Sequence, residues 1–298
     1  MPRRAVVTGA NGFLGSAVAA ALEDDGWDVV RCARQPPLLA RGGWRSYDLA
    51  WRSLPGDFFD GVQLLVHAAF VAIGTNANSF WLNVNGSELL LCSARDAGVR
   101  TMFISSLAAR SDARSDYGRQ KYAIETMMDA DAGAIVRPGL ILGDGGVFGR
   151  LLHHVKAGRP VPLVDGGRQP LQTVLLEDLI VALCSVASAD VPGRFVLAET
   201  PAVEYRTFFR ALAEKARVAP RFVTVPSWAL LSVANIARIS GIRSPVDRDN
   251  VLGLLGMRYV EPTKDAPLSL PRIRQYTESL DALFKAGAEI AHARQKKT

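Results

Sequence analysis

The clearest chemistry in the chain lies one helical turn apart. In Tyr117-Gly118-Arg119-Gln120-Lys121 a tyrosine and a lysine at i and i+4 share a helix face. A cation beside a phenol favours the phenolate, so the Tyr117 pKa is expected to fall from about 10 towards neutrality. A phenol so tuned is a general acid or base at working pH. Six tyrosines and seven lysines in 298 residues leave roughly 0.14 such pairs to chance, so position must strengthen the motif. It does: a strand-like run ending in Ile104-Ser105-Ser106 precedes it. A serine there would hydrogen-bond the oxygen on which Tyr117 acts. Ser106 is a candidate for it, and Ser105 beside it leaves the choice between the two open.

The elements that must position these groups read as repeated βαβ units. Short β-branched runs alternate with longer helical stretches. Strands are expected over Arg4–Thr8, Trp27–Ala33, Leu64–His67, Thr101–Ser105 and Ala134–Arg137, and helices over Leu14–Asp24, Phe80–Ala97 and Tyr117–Asp129. The first strand runs straight into Thr8-Gly9-Ala10-Asn11-Gly12-Phe13-Leu14-Gly15. Glycines at that spacing allow a tight turn, close approach of a pyrophosphate to the backbone, and close packing of helix on strand. The helix start offers unpaired N–H groups and partial positive charge to the phosphates. The fold expected is α/β, a Rossmann-type doubly wound parallel sheet binding a nicotinamide dinucleotide through Gly9, Asn11, Gly12, Phe13, Leu14 and Gly15. Lys121 would then also hold the nicotinamide ribose. The second strand ends in Arg31-Cys32-Ala33-Arg34, with no acid before Asp48. An acid there would hold the NAD ribose, whereas an arginine accommodates the NADP 2′-phosphate, so Arg34 points to NADP over NAD.

With these residues in place the chain resembles an extended short-chain dehydrogenase/reductase of the NAD(P)-dependent epimerase/dehydratase family, over roughly residues 3 to 200. Further segments share the pattern: Asp48-Leu49, Val66-His67-Ala68-Ala69, Asn83-Val84-Asn85-Gly86 and Arg137-Pro138-Gly139-Leu140. The resemblance implies adenine contacts from Asp48 and Leu49, a cofactor-side backbone at Ala68 and Ala69, and a nicotinamide-side position for Pro138 and Leu140. It also casts Arg34 as the second arginine of an NADP-type strand-two ending, and implies a homodimer through the helices Phe80–Ala97 and Tyr117–Asp129. The chain departs from the nucleotide-sugar enzymes of the group, because only eleven positions separate Ser106 from Tyr117 and a longer Pro-rich insertion is missing.

Beyond Gly139 glycine and proline become dense, which marks a changed architecture. The expected division is a Rossmann domain over 1–140, to which 171–200 returns, and a smaller α/β substrate-binding domain over most of 141–298. Glu177–Val186 reads as a helix and Arg194–Leu197 as a strand. The apolar stretch Phe222–Ile242 suggests either a wall for a hydrophobic ligand or core. His67 is expected to shape its loop by hydrogen bonding. The adjacent His153 and His154 point apart on a helix, so no metal site is expected. Trp27, Trp44, Trp51, Trp81 and Trp228 read as core or interface.

Composition narrows the rest. Hydrophobic residues at 49% and charged residues at 21% are ordinary for a globular chain. The net charge of +6 is spread along the chain, and its one cluster, the Ala293–Thr298 tail, reads as a solvated end, so no nucleic-acid partner is assigned. Cys32, Cys92 and Cys184 have no metal spacing and suggest a reducing, cytoplasmic setting. No apolar run reaches the ~20 residues of a membrane span, and the start reads as a strand, not a signal peptide. The leading expectation is an NADP-dependent oxidoreductase that moves a hydride between the cofactor and a carbonyl or secondary alcohol through Ser106, Tyr117 and Lys121. The alternatives are a nucleotide-sugar epimerase or dehydratase with tightly held NAD(P), and a non-catalytic NADP-sensing protein. The small-molecule substrate is a nucleotide sugar or an apolar ketone or alcohol.

Overall fold

The computed structural model describes residues 3–37, 43–73, 78–128, 133–239, 248–263, 268 and 270–295. Asp129, Ser240–Ile242 and the last residues of the basic tail lie outside them.

The elements run β1 (Arg4–Thr8), α1 (Phe13–Asp24), β2 (Asp28–Ala33), β3 (Trp44–Ser46), β4 (Leu64–His67), α2 (Ser79–Asp96), β5 (Arg100–Ile104), α3 (Asp116–Glu125) and β6 (Gly133–Pro138). There follow β7 (Leu140–Leu142), α4 (Gly146–Lys156), β8 (Val161–Val164), β9 (Pro170–Leu171), β10 (Thr173–Leu175), α5 (Leu176–Ala189) and β11 (Gly193–Leu197). The chain continues through β12 (Val203–Glu204), α6 (Tyr205–Lys215), β13 (Phe222–Val225), α7 (Ser227–Ile239), α8 (Arg248–Leu255) and α9 (Tyr276–Gln295).

Seven strands form one sheet in the order β11-β6-β5-β4-β1-β2-β3, with parallel pairing from β3 across to β6. The fold is α/β, a doubly wound Rossmann-type sheet. Its strands read as continuous apolar runs because helices cover both faces: all four residues of β4, and four of the five in β1, are buried. The order reverses between β1 and β4, the switch point outside which ligands bind in open α/β sheets. α1 buries Gly15, Val18, Ala19 and Leu22, the i, i+3, i+4, i+7 stripe of an amphipathic helix. α3 ends at Glu125, earlier than the sequence suggests, because the Thr126 hydroxyl donates to Ala123 O at 2.7 Å and competes with the helical ladder.

The chain divides into two compact units, Met1–Arg137 with Ile180–Val196 and Thr263–Pro271, and Pro138–Leu179 with Leu197–Pro262 and Arg272–Thr298. The first holds the large sheet and a core around Val6, Cys32, Leu65, Leu90 and Ala94. The second has its own core of Phe148, Leu163, Phe208, Phe209, Leu212 and Leu280. Each such fully buried side chain contributes about 1.5–3 kcal/mol, ample for an independent centre. This unit contains parallel pairs β7–β10 and β8–β13 and the antiparallel pair β9–β12.

Candidate active site

The turn after β1 is built on backbone contact. Gly9 has φ +69°, and a Cβ on it would lie 2.9 Å from Ala69 N; one on Gly15 would lie 2.2 Å from Gly9 O. Only glycine allows both the left-handed turn and the helix this close to the strand. Gly12 N donates back to Gly9 O at 2.9 Å. Gly12 is also the N-cap of α1, without a side-chain cap, so the first N–H groups of the helix meet no capping oxygen from it and face outward as an anion site. Asn11 is exposed, Phe13 and Leu14 half-buried. A tight glycine turn ending in an uncapped helix start fits a dinucleotide pyrophosphate.

Thr8 ties this turn to the neighbouring strand end. Its hydroxyl oxygen accepts from Ala68 N and Ala69 N, both at 3.2 Å, which leaves its own proton for His67 Nδ1 at 2.8 Å. His67 therefore carries its proton on Nε2 and donates it to Ser87 Oγ at 2.8 Å. Complete burial lowers its pKa to about 3, so the ring stays neutral and acts as a strut under the 68–69 backbone. Asn83 extends the strap, accepting from Val71 N at 2.7 Å and donating to Val71 O at 2.9 Å and Gln120 Oε1 at 2.8 Å. Gly86 allows α2 to press on the Asp48–Leu49 corner, since a Cβ there would lie 2.2 Å from Leu49 O. Asp48 closes that corner by accepting from Ala50 N at 2.9 Å, and Leu49 is buried.

The two arginines at the end of β2 differ. Arg31 makes a two-point pair with Glu23, at 2.9 and 2.8 Å. Arg34 is exposed and has no ion pair among the described residues.

Ser106 follows β5, and Tyr117 and Lys121 lie on α3. The Ser115 hydroxyl caps that helix by accepting from Gly118 N at 3.2 Å. Gly118 is required there, because a Cβ would lie 2.5 Å from Ala108 O. Ser106 Oγ accepts from Ala108 N at 3.2 Å and stands near enough to the Tyr117 phenol to lower its pKa. Ser105 turns the other way, its hydroxyl donating to the buried Glu125 carboxylate. The structure thus brings Ser106, not Ser105, to Tyr117.

The expected fall of the Tyr117 pKa is corrected by the structure. Burial pushes the phenol above its ordinary value, and Ser106 opposes this only in part. Lys121 is itself buried. Its Nζ donates to Ile104 O at 2.7 Å and lies 4.5 Å from the Phe70 ring centroid and 4.7 Å from that of Phe103. Burial lowers its own pKa to about 7, so at neutral pH much of its charge is gone.

Glu125 is the residue that sequence reasoning missed. Its side chain is 1% exposed and pairs with Arg137 at 14%. Arg137 Nε donates to Glu125 Oε1 at 2.8 Å, its Nη2 reaches Oε2, and Arg194 stands 3.8 Å away. The carboxylate also raises the pKa of Lys121 against the effect of burial. A signal was present, since Glu125 continues the Tyr117–Lys121 stripe by another i+4 step. Pro138 ends β6, and Leu140 opens β7 in the second unit, donating its N–H to Gln172 O at 2.9 Å. Among the described residues no group of His, Cys, Asp and Glu is arranged to hold a metal, and no helix is long and apolar enough to cross a membrane.

A family model described as the NAD dependent epimerase/dehydratase family matches residues 5–198, and the chain belongs to that family. It is 29% identical over 279 residues to a ceramide reductase of Caulobacter vibrioides, across 89% of this chain and 86% of that one. It is 26% identical over 331 residues to a 4-hydroxy-2-methyl-3-oxo-4-farnesyl-3,4-dihydroquinoline-1-oxide ketoreductase of Stigmatella aurantiaca, across 95% and 96%. Among solved structures, a human epimerase family protein with NADPH superposes with TM-score 0.68 at 18% identity, covering 95% of this chain and 99% of that one. MoeE5 with UDP-glucose and NAD gives TM-score 0.66 at 22%, covering 97% and 99%. These two likenesses are of fold. The chain is an enzyme of the NAD(P)-dependent oxidoreductase type.

Proposed function

We propose that this enzyme uses NADP to interconvert an apolar small-molecule ketone and its secondary alcohol, with Ser106, Tyr117 and Lys121 as the catalytic residues. The observation that carries this is Ser106 beside the Tyr117 phenol, whose pKa it lowers against burial, with Ser106 oriented by Ala108 N at 3.2 Å and Lys121 one turn further along α3.

Gly9, Asn11, Gly12, Phe13, Leu14 and Gly15 would hold the dinucleotide phosphates, Asp48 and Leu49 the adenine side, and Ala68, Ala69, Lys121, Pro138 and Leu140 the nicotinamide side. When bound, the nicotinamide supplies or takes up the hydride. Ser106 hydrogen-bonds the substrate oxygen. A phenol held above its ordinary pKa keeps its proton at neutral pH, which suits Tyr117 to donate that proton to the oxygen as a carbonyl is reduced. Lys121, with a pKa near neutrality, about 7, resupplies it.

Arg34 supports NADP: it is exposed and without an ion pair among the described residues, whereas Arg31 is held by Glu23. An apolar ketone is favoured because the relatives named above are a reductase of ceramide and a ketoreductase of a farnesyl-bearing ketone, whereas the nucleotide-sugar protein resembles this chain in fold at 22% identity. The second unit supplies the substrate-binding surface. The three cysteines are free, in keeping with a cytoplasmic setting. Phe80 and Trp81, 54% and 43% exposed on α2, suit pairing of two copies through α2 and α3, which sedimentation of a Trp81→Glu variant tests.

The central test is titration with NADPH and NADH, followed by nicotinamide fluorescence. NADPH should bind more tightly, and Arg34→Ala should weaken it about tenfold to a hundredfold while leaving NADH unchanged. Tyr117→Phe should keep NADPH binding and lose ~10² to 10⁴ in turnover with an apolar ketone. Preference for NADH would remove the NADP assignment. Full activity of Tyr117→Phe would remove the catalytic one, and tight NADPH binding without turnover of any ketone would point to a sensor.

A further inference from the structure

The stretch from β13 into α7 is divided: Phe222 packs against the core of the second unit, while other apolar side chains are left open. Trp228 is 71% exposed, Val223 49% and Val233 50%, and Val223 pairs in the β13–β8 ladder with Pro162, which is also exposed. Large apolar groups left in water along one short stretch mark a surface with a partner.

The surroundings indicate which partner. The start of α7 is pinned to the turn after β8: Ser227 N donates to Asp165 Oδ1 at 2.8 Å and Asp165 N to Val225 O at 3.1 Å. Two arginines flank the same turn. Arg168 follows it, and Arg206 N donates to Gly167 O at 2.9 Å, with Arg206 Cβ 3.2 Å from where a Cβ on Gly167 would lie. At the other end of the two strands, Arg159 precedes β8 and Arg221 precedes β13, where Arg221 O accepts from Val161 N at 2.7 Å. All four arginines are exposed and make no ion pair among the described residues. Acids on the adjoining elements are Asp165, held by the Ser227 N–H, Glu204 before α6, Glu214 on α6 and Asp249 on α8, which packs on α7 and β8.

We propose that this β13–α7 face docks on an anionic lipid surface, an inference that rests on the apolar-ketone reading above. An exposed tryptophan with arginines on the adjoining turn and at the far end of the strands sits at headgroup depth, with the indole among the upper acyl carbons and the guanidinium groups on lipid phosphates. At 13 residues α7 is too short to span and lies along the surface. A ketone with a long apolar chain resides in such a bilayer, and docking delivers it to the enzyme without passage through water.

The test is flotation of the full chain with phosphatidylcholine vesicles containing phosphatidylglycerol, and with phosphatidylcholine vesicles alone. Binding should require the anionic lipid and weaken with salt. Trp228→Ser should weaken it about tenfold or more, and each arginine reversed in Arg168→Glu with Arg206→Glu by about fivefold or more. Turnover of a short water-soluble ketone should be unchanged in both variants. Absence of flotation, or equal flotation of Trp228→Ser, overturns the docking surface. So does self-association of the parent that Trp228→Ser abolishes, since the face would then belong to a second copy. Reduction of the soluble ketone without vesicle binding removes the docking and leaves the reductase. Vesicle binding without turnover of any ketone removes the reductase and leaves the docking.

Discussion

Lys121 in the first unit and Glu199 in the second are 4% and 1% exposed, and burial drives both towards their neutral forms, the lysine down to about 7 and the carboxyl upward. They differ in how they are satisfied. Glu199 Oε1 accepts from Thr173 N at 3.0 Å and Thr173 Oγ1 at 2.7 Å, and Oε2 from Tyr276 N at 2.7 Å. Both oxygens are occupied by groups that hold β10, the end of β11 and α9 together. Lys121 has three donors and one acceptor among the described residues, Ile104 O, with aromatic rings around the remainder. A buried ionisable group with both of its oxygens bonded is a fastener. One with donors to spare beside a phenol and a serine is available for chemistry.

The largest expected effect comes from Lys121→Met, which should lower turnover on the order of a hundredfold or more without lowering stability. A buried lysine whose pKa lies below its ordinary 10.5 contributes stability present above that value and lost as pH falls towards about 7. Unfolding free energy should therefore rise with pH across that window, and the substitution should flatten the rise, as urea titrations at several pH values would read. Retained turnover would break the contrast at its root. Next in size, Glu125→Gln should cost about 3–5 kcal/mol in urea denaturation, because it removes the buried charge that pairs with the half-buried Arg137. A loss below about 1 kcal/mol would mean that Arg137 finds another acceptor.

Glu199→Gln should cost less, about 1–3 kcal/mol, since the amide can accept the two Thr173 bonds but presents a donor to Tyr276 N. NADPH binding should not change. With a raised folded pKa, the contribution of Glu199 is full below the ordinary 4.5 and fades as pH rises through the raised value, so the cost of the substitution should shrink over that rise. A loss of turnover with stability intact would move Glu199 from fastener to function. The smallest effect is Arg31→Ala: its surface pair with Glu23 contributes at most about 1 kcal/mol, and NADPH binding should not respond, in contrast to Arg34→Ala.

What could be read without the fold was short-range. Gly9, Gly12 and Gly15 follow a strand and open a helix within seven residues, and Tyr117 and Lys121 share a face by helical geometry alone. Element types over the first 140 residues were legible for the same reason, because buried parallel strands and amphipathic helices write different periods into the chain. The second unit was less legible, since short strands such as β9 and β12 leave too few residues for a period.

The amino-acid sequence by itself determined the class of sheet, the glycine turn and the helical spacing of Tyr117 and Lys121, because each follows from backbone sterics or from contacts within a few residues. Tertiary structure decided the rest. It turned Ser105 to the buried Glu125 and left Ser106 on the Tyr117 side. It joined Thr8 to His67 across 59 residues and His67 to Ser87 across 20, and so fixed the tautomer. It also reversed the expected direction of the Tyr117 shift. A pKa is set by how much water and which dipoles surround a group, and residues distant in sequence supply both.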